Sequence, residues 1–134
     1  MVEETESVLK NEFKIAKAFG ITTDNWQSGP QDCYESYTAH CIKETADVFE
    51  IHSRVLGTIP NNAKHTGQNL KKLLDKEMSK WELSDKYKTF VTDNASNILK
   101  CIAMSEEQGF GCFAHTINLC VNAGFNVPAI KKKD

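Results

Sequence analysis

Two apolar runs in this chain end in the same tripeptide. Phe19-Gly20-Ile21-Thr22 leads into Thr23-Asp24-Asn25, and Tyr87-Lys88-Thr89-Phe90-Val91 leads into Thr92-Asp93-Asn94. If both runs are neighbouring parallel strands, their C-terminal ends lie side by side at one sheet edge, where open α/β sheets build ligand sites. Two carboxylates meeting there repel as a bare pair and suit a bound divalent cation. Asp and Asn after a strand are also ordinary turn and helix-cap residues. Spacing alone leaves both readings open.

The segments between the runs decide whether such a sheet can form. Leu9, Phe13 and Ala16, flanked by Val8 and Ile15, have helical spacing and predict an N-terminal helix within residues 1–17. Residues 18–25 form the first predicted strand, followed by a turn over 27–32. Tyr34 to Ile42 alternates, with Tyr37, Ala39 and Cys41 on one face and Thr38, His40 and Ile42 on the other. Residues 43–47 read as a polar link, and Phe49, Ile51 and Val55 mark a third strand reaching about Thr58. From Thr66, a plausible N-cap, Leu70, Leu73, Leu74, Met78 and Trp81 recur with helical period. Tyr87 to Thr92 is the fourth strand. Asn94 is expected to cap a helix bearing Ile98, Leu99 and Ile102 that stops near Gly109. A short strand near Phe110–Cys112 and a helix with Ala114, Ile117 and Val121 follow, with Gly124 as its C′ residue. The predicted order is α-βββ-α-β-α-β-α: a mixed α/β sheet with flanking helices. Residues 126–134 read as a disordered tail.

At 134 residues the chain suits one domain. Its net charge of −2 excludes a strongly basic nucleic-acid surface, and Arg54 is its only arginine. Arginine is the usual bidentate contact to phosphate and guanine, so tight DNA binding would need parts outside this sequence. No apolar run approaches the ~20 residues of a membrane span, so no membrane partner is expected. The acidic start Met1-Val2-Glu3-Glu4 is no signal peptide. Five cysteines without a CxxC pair read as reduced thiols of an intracellular protein.

Four further residues have a chemical and a bland reading. Trp26 is either a packing residue at the sheet edge or a wall of the site. His65, beside Gly67, opens the long helix, where an imidazole usually caps or packs; the glycine is expected to give the turn its freedom. Cys112 and His115 make a C-x-x-H spacing on one helix face. Zinc would need two more ligands, and His40, Cys41 and Cys120 lack paired spacing, so no zinc is expected.

Five segments in order resemble motifs of the hAT transposases, and especially of BED-type zinc-finger proteins derived from them. They are Ile21-Thr22-Thr23-Asp24-Asn25-Trp26, Tyr37-Thr38-Ala39-His40-Cys41-Ile42, His65-Thr66-Gly67-Gln68-Asn69-Leu70, Val91-Thr92-Asp93-Asn94-Ala95-Ser96-Asn97 and Cys112-Phe113-Ala114-His115-Thr116-Ile117-Asn118-Leu119. The resemblance implies an RNase H-like fold over residues 18–125, truncated before the family's helical insertion. It implies that Asp24 and Asp93 match the first two acids of an Asp-Asp-Glu site for Mg²⁺ or Mn²⁺, acting in DNA strand cleavage and transfer. Cys112 and His115 match the C-x-x-H motif near that site, where they and Trp26 would help position DNA. The family's glutamate, its BED finger and its dimerisation region are not in this sequence. The chain is therefore expected to be a fragment, inactive alone, with an exposed apolar face that needs a protein partner or an oligomer. The alternative is a domesticated, non-catalytic nuclear module in transcription or chromatin; Lys131-Lys132-Lys133 is too short to count as a nuclear signal.

Overall fold

A computed structural model describes residues 2–29, 32–46 and 48–125. The elements are α1 (Val2–Ile15), β1 (Ala18–Ser28), β2 (Asp32–Thr45), β3 (Val48–Pro60), α2 (Gly67–Lys80), β4 (Tyr87–Thr92), α3 (Ser96–Ala103), β5 (Gln108–Gly111) and α4 (Phe113–Phe125). The order is the predicted one, and the fold is the expected α/β fold with a five-stranded mixed sheet. The strands lie β3-β2-β1-β4-β5. β1, β2 and β3 form an antiparallel meander, whereas β1 and β4 run parallel, as do β4 and β5. The segment from 61 to 86 is the crossover that a parallel β1–β4 pair requires.

Alternation in the strands sorts one face inward. Phe19 and Ile21 of β1, Tyr37, Ala39 and Cys41 of β2, and Phe90 of β4 are buried. They meet Leu70, Leu74 and Met78 of α2 and Ile98, Cys101 and Ile102 of α3 in one core. α1 joins through Phe13, which lies edge-on to Phe19 at 5.4 Å and to Trp81 at 6.1 Å. Glu12 of the same helix holds Arg54 Nη2 at 3.1 Å and His52 Nδ1 at 2.6 Å, fastening α1 to β3. Lys88, almost fully buried, reaches Glu107 at 3.1 Å and ties β4 to the segment entering β5.

Several local expectations are corrected. Residues 43–45 of the predicted 43–47 link belong to β2, which runs to Thr45, and Ala46 turns at φ +43°; Asp47 lies outside the described residues. Asn94 does not cap α3. It sits in the left-handed region at φ +68°, Ala95 is the N-cap residue, and the Ala95 N–H is held by Asp93 Oδ1 at 3.0 Å. That helix ends at Ala103, and Gly109 belongs to β5. Gly124 lies inside α4 rather than beyond it. The glycine at 67 answers a close approach, not a turn. A Cβ there would stand 2.8 Å from Lys100 Cβ and 3.1 Å from the Asn97 carbonyl, so it lets α2 and α3 touch. Residues 126–134, the predicted tail, fall outside the described residues.

Candidate metal and nucleic-acid site

The carboxylates stand just past the point where β1 and β4 stop pairing, Asp24 within β1 and Asp93 one residue beyond β4. The parallel ladder between β1 and β4 ends at the pair Thr22–Val91. Asp24 and Asp93 each lie two residues beyond that last pair along their own chains. Thr22 and Val91 share the face opposite the core, so parity gives Asp24 that face too, and its side chain is exposed. Asp93 lies one residue past β4, where the chain leaves the pleat, and it is partly covered. One of its oxygens takes the Ala95 N–H; the other has no hydrogen-bond partner among the described residues. Carboxylate oxygens are hard donors of the kind that Mg²⁺ or Mn²⁺ take, one or two of them beside several waters. Among the described residues no three His, Cys, Asp or Glu side chains gather as a metal centre. Asp24 and Asp93 are two hard donors near this edge and do not make a complete ligand set.

Behind Asp93 lies a cavity of about 240 Å³ between the sheet edge and the starts of α2 and α3. Its polar lining includes Thr23, Asn25, Glu35, His65, Asp93 and Asn97, and Leu70 and Ile98 form its apolar base. Glu35 is 1% exposed and stands opposite Asn25 across the β1–β2 ladder. Asn25 Nδ2 donates to Glu35 Oε1 at 2.7 Å and lies 2.6 Å from His65 Nδ1. An amide N–H facing Nδ1 makes that nitrogen an acceptor, which leaves the ring proton on Nε2 to reach the Asn61 carbonyl at 3.0 Å. The reverse orientation of Asn25 would set its oxygen against the Glu35 carboxylate. Burial pushes the Glu35 carboxyl above its ordinary range; the Asn25 hydrogen bond and the nearby His65 oppose this without cancelling it.

Trp26 and Tyr34 pair across β1 and β2 and stack at 4.6 Å with planes 18° apart. Trp26 is 42% exposed and shares the face of Asp24, two residues away. This makes a flat aromatic surface beside the carboxylate edge. Cys112 lies between β5 and α4, its N–H bonded to the Thr92 carbonyl at 2.6 Å, and so sits next to the end of β4. His115 is in the first turn of α4, and neither residue lines the polar cavity.

Glu35 and Asn97 were not among the residues singled out by sequence. The signal for Glu35 was present, because it shares the parity of Tyr37, Ala39 and Cys41, and a glutamate on an inward face must find a partner. Asn25 and His65 were noticed, but only as a turn residue and a cap. No local pattern shows that residues 40 apart hydrogen-bond.

Residues 22–108 match the family model of the ZBED1 RNase-like domain. The chain is also 30% identical over 95 residues to a putative AC transposase and to a putative AC9 transposase of Zea mays. Each alignment covers 71% of this chain and 11% of the relative, so the chain spans about a tenth of the length of these proteins.

Proposed function

We propose, from the premise that this chain belongs to the ZBED1 RNase-like family of hAT-transposase type, that it is the carboxylate-bearing part of a metal-dependent DNA strand-cleavage and strand-transfer core. The observation that supports this reading is that Asp24 and Asp93 each lie two residues past the last pair of the parallel β1–β4 ladder. Those two side chains would hold Mg²⁺ or Mn²⁺. A divalent cation in such a place activates a water or 3′ hydroxyl and neutralises charge on the phosphoryl group. Trp26 and Tyr34 would receive an unpaired base on their exposed faces, since stacking tolerates any base. Cys112 and His115, at the end of β5 and the start of α4, would border the strand's path. In a protein of this type the setting would be nuclear.

A third acidic ligand would have to come from outside the described residues, so the chain alone should bind a cation and leave DNA uncut. Mn²⁺-dependent nicking of hairpin DNA, abolished by Asp24→Asn, would refute this. The stacking role has its own test. Trp81 is buried, so the exposed Trp26 should dominate fluorescence quenching by single-stranded DNA. Trp26→Ala should weaken binding about tenfold, within the ~1–3 kcal/mol attributed to one stacked base. Unchanged affinity would remove Trp26 from the site.

A second reading has one observation in its favour: Asp93 already serves as the hydrogen-bond acceptor that starts α3. In a domesticated, non-catalytic module Asp93 would persist as a turn residue and Asp24 as an exposed residue of β1. Indifference of the fold to Mn²⁺ would select it.

A further inference from the structure

We infer that Glu35, Asn25, His65 and Asn97 form a hydrogen-bonded strut that fixes the spacing of the two carboxylates, making them positioning residues for the cation. The inference rests on the reading that Asp24 and Asp93 bind a cation together. Direct pairing between β1 and β4 does not reach that far, because their ladder stops at Thr22–Val91, two residues short of both aspartates. Beyond this rung β1 is paired only to β2, and the link from β1 across to the turn after β4 is made by side chains.

One unbroken path crosses the gap. Glu35, out of water on β2, takes Asn25 Nδ2 at 2.7 Å. Asn25 follows Asp24 directly, so this bond fixes the backbone beside the first carboxylate. The second N–H of the same amide reaches His65 Nδ1 at 2.6 Å. The His65 carbonyl then accepts from Asn97 Nδ2 at 3.1 Å, at the start of α3. Two residues earlier the Ala95 N–H holds Asp93. The path thus runs from the neighbour of one aspartate to the hydrogen-bonded turn of the other, through residues 10, 40 and 32 apart in sequence. A site whose ligands come from two strand ends loses affinity when their separation can drift, because the cation must then order them.

Isosteric variants separate this role from plain packing. Asn Oδ1 occupies the place of a histidine Nδ1, and Gln Nε2 that of Nε2. His65→Asn therefore keeps the bond to Asn25 and loses the one to Asn61; His65→Gln does the reverse. Glu35→Gln keeps an acceptor for Asn25, and Glu35→Leu removes it. Mn²⁺ titrations of the full chain, followed by water-proton relaxation, should show His65→Gln, Glu35→Leu and Asn97→Ala binding about tenfold more weakly. His65→Asn and Glu35→Gln should stay within about threefold of wild type. Equal affinity across the folded variants overturns the strut while leaving the carboxylate pair standing. A wild-type chain that binds no Mn²⁺ overturns the carboxylate reading and the strut with it. If Glu35→Leu does not fold, the His65 pair and Asn97→Ala, which leave the core untouched, decide the matter.

Discussion

Glu35 and Glu12 show how the same side chain is tuned in opposite directions by its surroundings. Burial is the largest influence on Glu35 and raises its carboxyl above the ordinary range. The folded state therefore binds a proton more readily than the unfolded state does. The stability linked to this group is fully present below the ordinary carboxylate value and is lost as pH rises through the raised one. Glu12 also meets a burial effect that would raise it, but the His52 hydrogen bond and Arg54 together outweigh it and lower the group. Its contribution is present above the ordinary value and is lost as pH falls through the lowered one. Thermal melts from pH 3 to 8 separate the two. Glu35→Gln should melt higher than wild type at pH 7 and lose the gain on mild acidification. Glu12→Gln should melt lower at pH 7 and show a flatter loss in acid. A Glu35→Gln chain that melts lower at pH 7 would mean that the charge is better accommodated than its burial implies.

The elements follow local rules until tertiary contact overrides them. Periodicity alone placed α2, because Leu70, Leu74 and Met78 fall on the buried stripe and Thr66 Oγ1 accepts the Asn69 N–H as predicted. It placed β4 at the residues observed, since Phe90 and its alternating neighbours leave one register. The length of the β2–β3 ribbon was not legible. Its tip is polar and exposed, so no burial pattern distinguishes strand from link there, and cross-strand pairing alone extends it. The start of α3 misled for a physical reason: Asn94 turns into the left-handed region, which leaves Ala95 as the N-cap residue with no side-chain cap hydrogen bond. The site followed the same division. The parallel pairing of β1 and β4 next to both aspartates was readable because it depends on strand patterning, and the Glu35–His65 network was not because it depends on residues brought together by the crossover. Gly67 gives the test at this scale. Gly67→Ala must push α3 away from α2, and a cost of roughly 1–3 kcal/mol in urea denaturation is expected for such overpacking. A neutral or stabilising substitution would show that the helices can separate freely.

Across the whole molecule, apolar surface is distributed unevenly. One face of the sheet is covered by α2 and α3, while Phe49 and Ile51 on the edge strand β3 are 68% and 76% exposed. Phe113 and Phe125 of α4 are likewise open, and no residue of that helix is buried. A long edge strand with apolar side chains is a template for association. The chain should therefore self-associate at rising concentration in sedimentation experiments, and Ile51→Lys should reduce this without lowering the melting midpoint. A monomer at all concentrations would mean that this surface is tolerated in water. Among the described residues no helix is long and apolar enough to cross a membrane.

The most direct measurement is a thermal melt of the chain with and without Mn²⁺, for wild type and for the Asp24→Asn, Asp93→Asn double variant. An ion at ~100 times its dissociation constant should stabilise the wild type by about 2.7 kcal/mol. The double variant should lose that response and melt no lower than wild type without metal, because two like charges are relieved. Identical melts for both chains, unmoved by Mn²⁺, would contradict a shared cation and leave Asp24 as a surface residue of β1 and Asp93 as the turn residue after β4.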